Sequence, residues 1–389
     1  MSRFVQLHLL TSYPPANLNR DDTGRPKSAL VGEALRLRIS SQSLKRAWRT
    51  SEVFANFFDA PEKIIGTRTK RVGLEWIYSR LIADGVAEGD AKAWSQELQR
   101  TFGEPEKEKQ DDPDALFLNS QLVHISPVEK EKLAAFVRNL TKYLTHGTQD
   151  ELVSRAERAI QKRDKASDKK KANAALAREL AEILLVKEST ASDIALFGRM
   201  LAAVPAYNFD AAVQVAHAFT VHKAAVEDDY FSAVDDLNTG LEDAGAGHIG
   251  ERGYGAGLFY LYLCINREQL RENLGGDAAL TERTLEALAH AIAKVSPTGM
   301  QNSFASRAYA VYALAEKGDQ QPRSLAQAFL KPVRGGEDHD LFENSVRALT
   351  QRCENFDKVY GACADARYAF NVETGEGALA GLADFIKGG

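Results

Sequence analysis

Four polar side chains with the spacing of a single helix face could bind an anion. Gln42, Lys45, Arg46 and Arg49 stand at positions i, i+3, i+4 and i+7. At 3.6 residues per turn these positions lie on one side of a helix. Three of the side chains are cations, which are the groups that neutralise phosphate. The segment therefore predicts a helix that binds a phosphate backbone with one face.

The residues around this face fit the same helix. Either Ser40 or Ser41 is a good N-cap, and Leu44, Ala47 and Trp48 fall on the opposite face. The apolar side would then pack inward and the cations outward. The two serines and the free N–H groups of the first turn could also hold phosphate.

Further cations precede the helix. Residues 35–39 alternate apolar side chains with Arg36 and Arg38, which predicts a strand with both arginines on one face. The turn-rich loop before this strand holds Arg20 and Lys27. Together with the helix, these cations could follow several consecutive phosphates.

The charge of the chain is unevenly distributed. The whole chain has a net charge of −5 and a pI near 6.0, which by themselves argue against nucleic-acid binding. Residues 1–50 hold nine basic and three acidic side chains, so they carry +6 and the remainder carries −11. The sequence therefore predicts one local basic surface on an acidic protein.

The elements that position these residues are of mixed type. Alternation at residues 5–9 predicts a strand that ends at Pro14-Pro15, and residues 62–187 have helical periodicity, with Ser126 as one N-cap. Strand signals return at 193–200 and strongly at 258–265. Strands interrupted by a long helical insertion predict an α+β fold.

Composition limits the other classes. The chain is 44% hydrophobic, enough for a core, and its three widely spaced cysteines form no C-x-x-C pair. No apolar run approaches the roughly 20 residues that cross a bilayer, and the N-terminus does not read as a secretory signal. We expect a cytoplasmic protein with reduced thiols, no cofactor, no metal and no membrane partner.

The basic segment also carries a family resemblance. LNRDD (18–22) followed by RISSQSLKRA (38–47) resembles the multi-copy, CasC-type backbone subunit of Cascade, the RNA-guided surveillance complex of type I-E CRISPR systems. The likeness continues through collinear motifs: DIALFGRM, AHAFTVH, YFSAVDDL, GHIG and LRENLGG. The helical insertion and the C-terminal third match only in character.

The resemblance implies a hand-like α+β fold with an RRM-like (ferredoxin-like) palm, a helical fingers insertion and a β-hairpin thumb. The implied boundaries are 1–60 for the first part of the palm, 61–187 for the fingers, 188–222 for the second part of the palm, 223–254 for the thumb, and 255–389 for the rest of the palm. The chain lacks the aromatic pattern with which an ordinary RRM stacks bases, which fits a protein that leaves bases exposed.

The resemblance also implies a function without catalysis. Several copies would oligomerise along the spacer part of a CRISPR RNA (crRNA), bind its phosphate backbone and present its bases for pairing with target DNA in antiviral defence. The implied partners are the crRNA, the target DNA strand through that RNA, further copies of the chain, the large, small, handle-capping and crRNA-processing Cascade subunits, and a recruited nuclease-helicase.

Residue roles follow from the same resemblance. The expected RNA contacts of the palm are Arg20, Lys27, Arg38, Ser40, Gln42, Lys45, Arg46 and Arg49. Arg199 and Met200 are also expected to contact RNA, with Met200 as an apolar wedge where the strand kinks, and Tyr230 and Phe231 are expected RNA-binding residues that pack on the thumb side. A basic segment from Gly66 to Lys70 is either a further nucleic-acid contact or a solvated turn.

Two other functions remain open from the sequence. The pairs Asp228-Asp229 and Asp235-Asp236 lie in the predicted thumb, and a related fold could use such aspartates as a metal-dependent ribonuclease. A single-copy RNA-binding module is the third possibility. Nothing in the sequence places a metal or a base beside the aspartates, so we expect no catalytic residue.

Overall fold

The chain forms two units, each with its own core. The computed structural model describes residues 2–107, 112–188, 191–224, 226–233, 248–336 and 340–388. The first, here called the sheet unit, consists of residues 1–57, 213–268 and 282–389, and the second, the helical unit, of residues 58–212 and 269–281.

Eleven strands occur within the described residues. In chain order they are β1 (Phe4–Ala16), β2 (Ser28–Val31), β3 (Ala34–Ile39), β4 (Thr67–Thr69), β5 (Val123–Ile125), β6 (Val213–Val215), β7 (Ala218–Thr220), β8 (Glu227–Ala233), β9 (His248–Asn266), β10 (Ala310–Gly318) and β11 (Ala366–Asn371). Strands β4 and β5 pair with each other, and the other nine form one sheet.

Thirteen α-helices accompany them in the same described ranges. They are α1 (Ser41–Arg49), α2 (Glu52–Ala55), α3 (Ser79–Ala83), α4 (Glu88–Gln99), α5 (Pro127–His146), α6 (Glu151–Lys165), α7 (Lys169–Leu184), α8 (Ser192–Phe197), α9 (Arg267–Asn273), α10 (Ala278–Lys294), α11 (Gln301–Phe304), α12 (Leu341–Tyr360) and α13 (Leu379–Lys387). The predicted α+β class is therefore confirmed.

The sheet of the sheet unit is antiparallel, with the order β11-β10-β1-β9-β7-β3-β2 and with β6 and β8 also paired to β9. Strand β1 lies between β10 and β9, and its side chains from Val5 to Leu10 are all buried. The predicted first strand is present, but both of its faces are covered.

Strand β1 also continues past the point where the prolines were expected to end it. Tyr13 pairs with Gly257 and Ala16 with Gly255, with a register shift between Tyr13 and Ala16. Pro14 and Pro15 occupy this irregularity, where no ladder hydrogen bond requires their missing N–H groups.

A buried ionic group lies in the core of the sheet unit. The Glu316 carboxylate accepts hydrogen bonds from His8 Nε2 at 3.1 Å, from Arg323 Nη1 and Nη2 at 2.6 and 2.9 Å, and from Arg367 Nε at 2.9 Å. The Cys353 thiol donates to the same carboxylate at 3.3 Å. We call these five residues the Glu316 cluster.

The helical unit is built from the helices that periodicity predicts. Helix α5 begins with the predicted Ser126 cap, here as a capping box in which Ser126 and Glu129 bond reciprocally to each other's backbone. Helices α6 and α7 form a helical hairpin within the range where periodicity predicts helices, and their buried faces join α5 in one core that includes Leu133, Leu140 and Leu180.

The strand predicted at 193–200 is wrong, because Ser192–Phe197 is helix α8. Ile194, Ala195 and Leu196 are all buried. A short helix that is covered on every side shows no polar face, so its apolar run cannot be told from a buried strand by periodicity.

Candidate nucleic-acid interface

Helix α1 is capped by Ser40, one of the two serines that the sequence offered as N-cap. Ser40 has extended backbone, and its hydroxyl oxygen accepts a hydrogen bond from Ser43 N at 3.3 Å. Leu44 and Trp48 are buried, at 3% and 1% exposure. The predicted inner face is therefore confirmed, and it fixes which side of α1 faces solvent.

The four side chains on the polar face of α1 differ in their exposure to solvent. Gln42 and Arg46 are exposed, whereas Lys45 and Arg49 are half-buried. Burial lowers the pKa of the Lys45 ammonium below its usual range. A phosphate placed beside it would favour the charged form again, so the desolvated cation is suited to an anionic ligand.

The loop that holds Arg20 and Lys27 is ordered by its own hydrogen bonds. The Asp21 carboxylate accepts from Thr23 N at 2.9 Å and from Arg25 N at 3.0 Å. Arg20 is exposed and Lys27 half-buried. We call residues 17–27 the LNRDD loop.

Backbone hydrogen bonds fasten the LNRDD loop to β3 and α1. Lys27 N donates to Asn19 O, and Arg38 N donates to Lys27 O, both at 2.8 Å. The Asn19 side chain accepts from Ser40 N at 2.8 Å. Hydrogen bonds thus tie the loop that carries Arg20 and Lys27 to Arg38 and to the cap of α1, and we call Arg20, Lys27, Arg38 and the polar side of α1 the cationic face.

Asn19 was not selected from the sequence. Its side chain ties the loop to the cap of α1, so it positions cations without carrying charge. The signal was present in the LNRDD motif itself, where a turn-forming amide directly precedes Arg20.

His217 is a second residue that the sequence did not assign to the site. Arg38 Nη1 donates to His217 Nδ1 at 2.6 Å. Burial lowers the pKa of His217, and the nearby charges of Arg38 and Lys27 lower it further. The neutral imidazole can therefore accept from Arg38 at neutral pH and orient that guanidinium.

The prediction that Arg36 lies on the outer face with Arg38 is wrong. Arg36 is fully buried, and its guanidinium donates to Thr220 O at 2.9 Å and to Phe329 O at 3.0 Å. Strand β3 pairs with β2 and β7, and Arg36 and Leu37, which point to opposite faces, are both buried, so alternation alone could not identify the solvent side.

This difference gives a paired test. We expect Arg36→Met to destabilise the protein by about 3 kcal/mol, because two buried carbonyls lose their donors, while the folded protein keeps its RNA affinity. Arg38→Met should instead weaken RNA binding with little change in the urea midpoint. Urea unfolding and fluorescence anisotropy with labelled RNA measure the two effects, and equal losses of affinity would contradict the assignment.

The two aromatic side chains of β8, Tyr230 and Phe231, have different environments. Tyr230 is 68% exposed, whereas the Phe231 ring lies against Gly250, where an added Cβ would fall 2.4 Å from the ring. The Arg252 guanidinium lies 4.5 Å from the centroid of the same ring. Phe231 therefore packs β8 on β9, and Tyr230 points outward.

Each of the two described aspartates of β8, Asp228 and Asp229, has an arginine nearby. Asp228 forms an ion pair with Arg25 of the LNRDD loop at 2.7 Å, and Asp229 stands opposite Arg252 in the strand register. Across the described ranges, no group of three or more His, Cys, Asp or Glu side chains could hold a metal ion. Asp235 and Asp236 lie outside the described residues.

In the helical unit, Arg199 has a different environment from the one predicted. It is 6% exposed, and its guanidinium donates to Glu129 at 2.5 Å and to Tyr207 O at 2.9 Å. The Phe209 ring lies 5.0 Å from it. We correct the expected RNA contact: Arg199 holds the fold, while the adjacent Met200 is 76% exposed.

The segment Gly66–Lys70 contains strand β4 rather than a solvated turn. Gly66 N donates to the buried Asp193 carboxylate at 2.8 Å, and Lys70 forms an ion pair with Glu106 at 2.8 Å. Arg68 is exposed. Of the two cations, Arg68 is the better candidate for an external ligand.

No described helix has both the length and the apolar character that crossing a bilayer requires.

Comparison with solved structures places the fold among known assemblies. One similar chain comes from a "CRISPR RNA-guided surveillance complex, pre-nicking", with a TM-score of 0.74, 30% identity and coverage of 97% of this chain and 95% of that chain. A second, from a "CRISPR RNA-guided surveillance complex", has a TM-score of 0.64, 26% identity and coverage of 97% and 94%. No curated protein sequence matches significantly.

Together with the α+β fold, these matches support a protein of the Cascade type found in CRISPR systems. The family model described as CT1975-like protein, Cas_CT1975, matches residues 5–384. The chain belongs to this family.

Proposed function

We propose that this protein is a non-catalytic, crRNA-binding backbone subunit of a type I-E Cascade complex. The observation that carries the proposal is the cationic face, in which a capped helix and a loop fastened to it by hydrogen bonds hold partly or fully exposed cations. The ligand we propose is crRNA, because the chain is similar to chains of CRISPR RNA-guided surveillance complexes. Binding through cations is insensitive to base sequence, so the bases stay free to pair.

Several copies would line the crRNA spacer, with the target DNA strand bound through that RNA. The other Cascade subunits and the nuclease-helicase would join this filament. We assign phosphate contacts to Arg20, Lys27, Arg38, Gln42, Lys45, Arg46 and Arg49. Ser40 caps α1 and would lie beside the same phosphates. In this proposal the palm is RRM-like, and residues 223–254 form the thumb.

Met200 would serve as the wedge at a kink of the RNA. Its side chain is 76% exposed, whereas its chain neighbour Arg199 is buried and held by hydrogen bonds. An apolar group on a rigid support can insert between bases at a fixed depth. Tyr230 would contact the strand or a neighbouring subunit from the thumb side.

Purification of the full chain together with crRNA tests the proposal. We expect an absorbance ratio typical of bound nucleic acid and a mass, measured by light scattering after size exclusion, that equals several copies on one RNA. A monomer free of nucleic acid would contradict the backbone role, and a single copy on RNA would favour a simple binding module.

A second test separates binding from catalysis. We expect RNA incubated with the protein and Mg²⁺ to stay intact, and Asp228→Ala/Asp229→Ala to change nothing, because Asp228 is committed to the ion pair with Arg25. Gel electrophoresis of end-labelled RNA gives the result. Cleavage that the double substitution abolishes would establish a ribonuclease instead.

A further inference from the structure

Backbone strain in the described residues is concentrated at one loop. Met300 and Ala305, with φ of 50° and 48°, are the two non-glycine residues with positive φ among those described. Each left-handed residue of this kind costs about 1–2 kcal/mol. They flank the single-turn helix α11, so the surroundings must hold this turn in place.

The support on one side is the LNRDD loop. A Cβ added to Gly299 would lie 2.4 Å from Leu18 O and 2.7 Å from Asn17 O, so the two backbones are in direct contact. Arg20 is two residues from Leu18, a reach of at most about 7 Å along the chain. The strained turn therefore borders the cationic face.

Two further contacts complete the support. The centroid of the Phe304 ring lies 6.0 Å from that of Tyr254 in β9. At the foot of the loop, the Ser296 hydroxyl donates to Ala308 O at 3.0 Å. The turn is thus fixed at both ends and on its inner side.

The outer side of the turn presents neutral polar groups. Asn302 and Ser303 are exposed and Gln301 is half-buried. The backbone N–H groups of Ser303 and Phe304 already donate to Met300 O, at 3.0 and 3.1 Å. Within the described part of the chain, no hydrogen bond engages the side chains of residues 301–303, so the Asn302 amide and the Ser303 hydroxyl are open to solvent and the Gln301 amide is partly so.

We propose that Gln301, Asn302 and Ser303 form a second RNA contact, one that recognises ribose 2′-hydroxyls of the strand held by the cationic face. The proposal rests on the proposed function. An amide both donates and accepts, as a 2′-hydroxyl does, and this group distinguishes RNA from DNA. The cations of α1 supply charge but no such distinction, so the two surfaces have separate roles.

The test is the double substitution Asn302→Ala/Ser303→Ala in the full chain. Its ligands are a fluorescent oligouridine RNA and the oligodeoxyuridine of the same length. We expect RNA affinity to fall roughly tenfold, the loss of one to two hydrogen bonds, and DNA affinity to change less than about twofold. The slope of log K against log salt should not change, because no charge is removed.

Asn355→Ala, an exposed amide on α12, is the matched control and should leave both affinities unchanged. Equal losses for RNA and DNA, or no loss for RNA, would overturn the 2′-hydroxyl contact. A change in oligomer mass without a change in RNA affinity would show a protein contact and would overturn it too.

RNA affinity is measured in parallel for Lys45→Glu/Arg49→Glu. This variant distinguishes failure of the 2′-hydroxyl contact from failure of RNA binding by the cationic face. If that variant loses RNA binding and the Asn302 variant does not, only the second contact fails. If neither loses it, the cationic face fails as well. The melting temperature of the Asn302 variant should match that of the wild type, since both positions are exposed.

Discussion

Lys45→Glu/Arg49→Glu should weaken RNA binding about a hundredfold or more. Each reversal removes a charge-assisted contact worth about 1.5–3 kcal/mol and adds repulsion from phosphate. The slope of log K against log salt should fall by about 1.4, since each lost phosphate contact on a single strand contributes about 0.7. Anisotropy titrations at several salt concentrations give both quantities.

The loss should be the same for RNAs of different sequence, because phosphates carry no base identity. Lys331→Glu/Lys358→Glu is the matched control, since it makes the same change in net charge at exposed positions of the sheet unit. If the control weakens binding equally, overall charge and not the cationic face drives association. A loss confined to certain sequences would point to base recognition instead.

Glu316→Gln should destabilise the protein by about 3–5 kcal/mol, the range for removal of one partner from a buried ionic group. The substitution keeps the volume of the side chain but leaves Arg323 and Arg367 without the anion to which they donate. Urea unfolding measures the loss. Glu354→Gln, an exposed change on α12, should shift the free energy of unfolding by less than about 0.5 kcal/mol.

The same cluster predicts how stability depends on pH. Burial alone would raise the pKa of Glu316, but hydrogen bonds from His8 and Arg323 outweigh it and hold the pKa below its ordinary 4.5. The folded state therefore favours the carboxylate, and its contribution to stability is present above pH 4.5 and is lost as pH falls below it.

His8 acts in the same direction. Burial lowers its pKa below 6.5 despite the nearby Glu316, so the folded state disfavours the imidazolium and loses stability as pH falls below 6.5. We expect the wild-type free energy of unfolding to decline from pH 7 to pH 4. In Glu316→Gln the part of the decline below pH 4.5 that belongs to the carboxylate should be absent, whereas the part from His8 between pH 6.5 and pH 4.5 should be no smaller, because Glu316 no longer raises the pKa of His8. Equal slopes for the two proteins below pH 4.5 would contradict this role for the cluster.

Much of the candidate site could be predicted from local sequence, because α1 is a local structure. The spacing of Gln42, Lys45, Arg46 and Arg49, the serine cap and the apolar pair Leu44 and Trp48 are all properties of ten consecutive residues. A helix that is half exposed must show its buried face as a period of 3.6, and this one does. The capped start of α5 could be predicted for the same reason.

Other residues could not be assigned locally. Arg36 and Arg38 occupy equivalent positions in the alternating pattern. Arg36 is nevertheless buried, where it donates hydrogen bonds to Thr220 O and Phe329 O. Arg199 lies beside an exposed methionine, but Glu129, 70 residues away, pairs with it in the core. In each case the partner of the cation is distant in sequence, so its burial depends on the assembled fold.

The α+β class, the cationic helix with its two candidate caps and the likeness to a Cascade-type CRISPR protein could all be predicted from the sequence alone. Tertiary structure decided which arginines face solvent, that the LNRDD loop joins α1 through Asn19, and that the strained turn at 300–305 lies on that loop. The physical reason is that periodicity and capping act within a few residues. Burial of a charge and contact between loops require groups that only folding brings together.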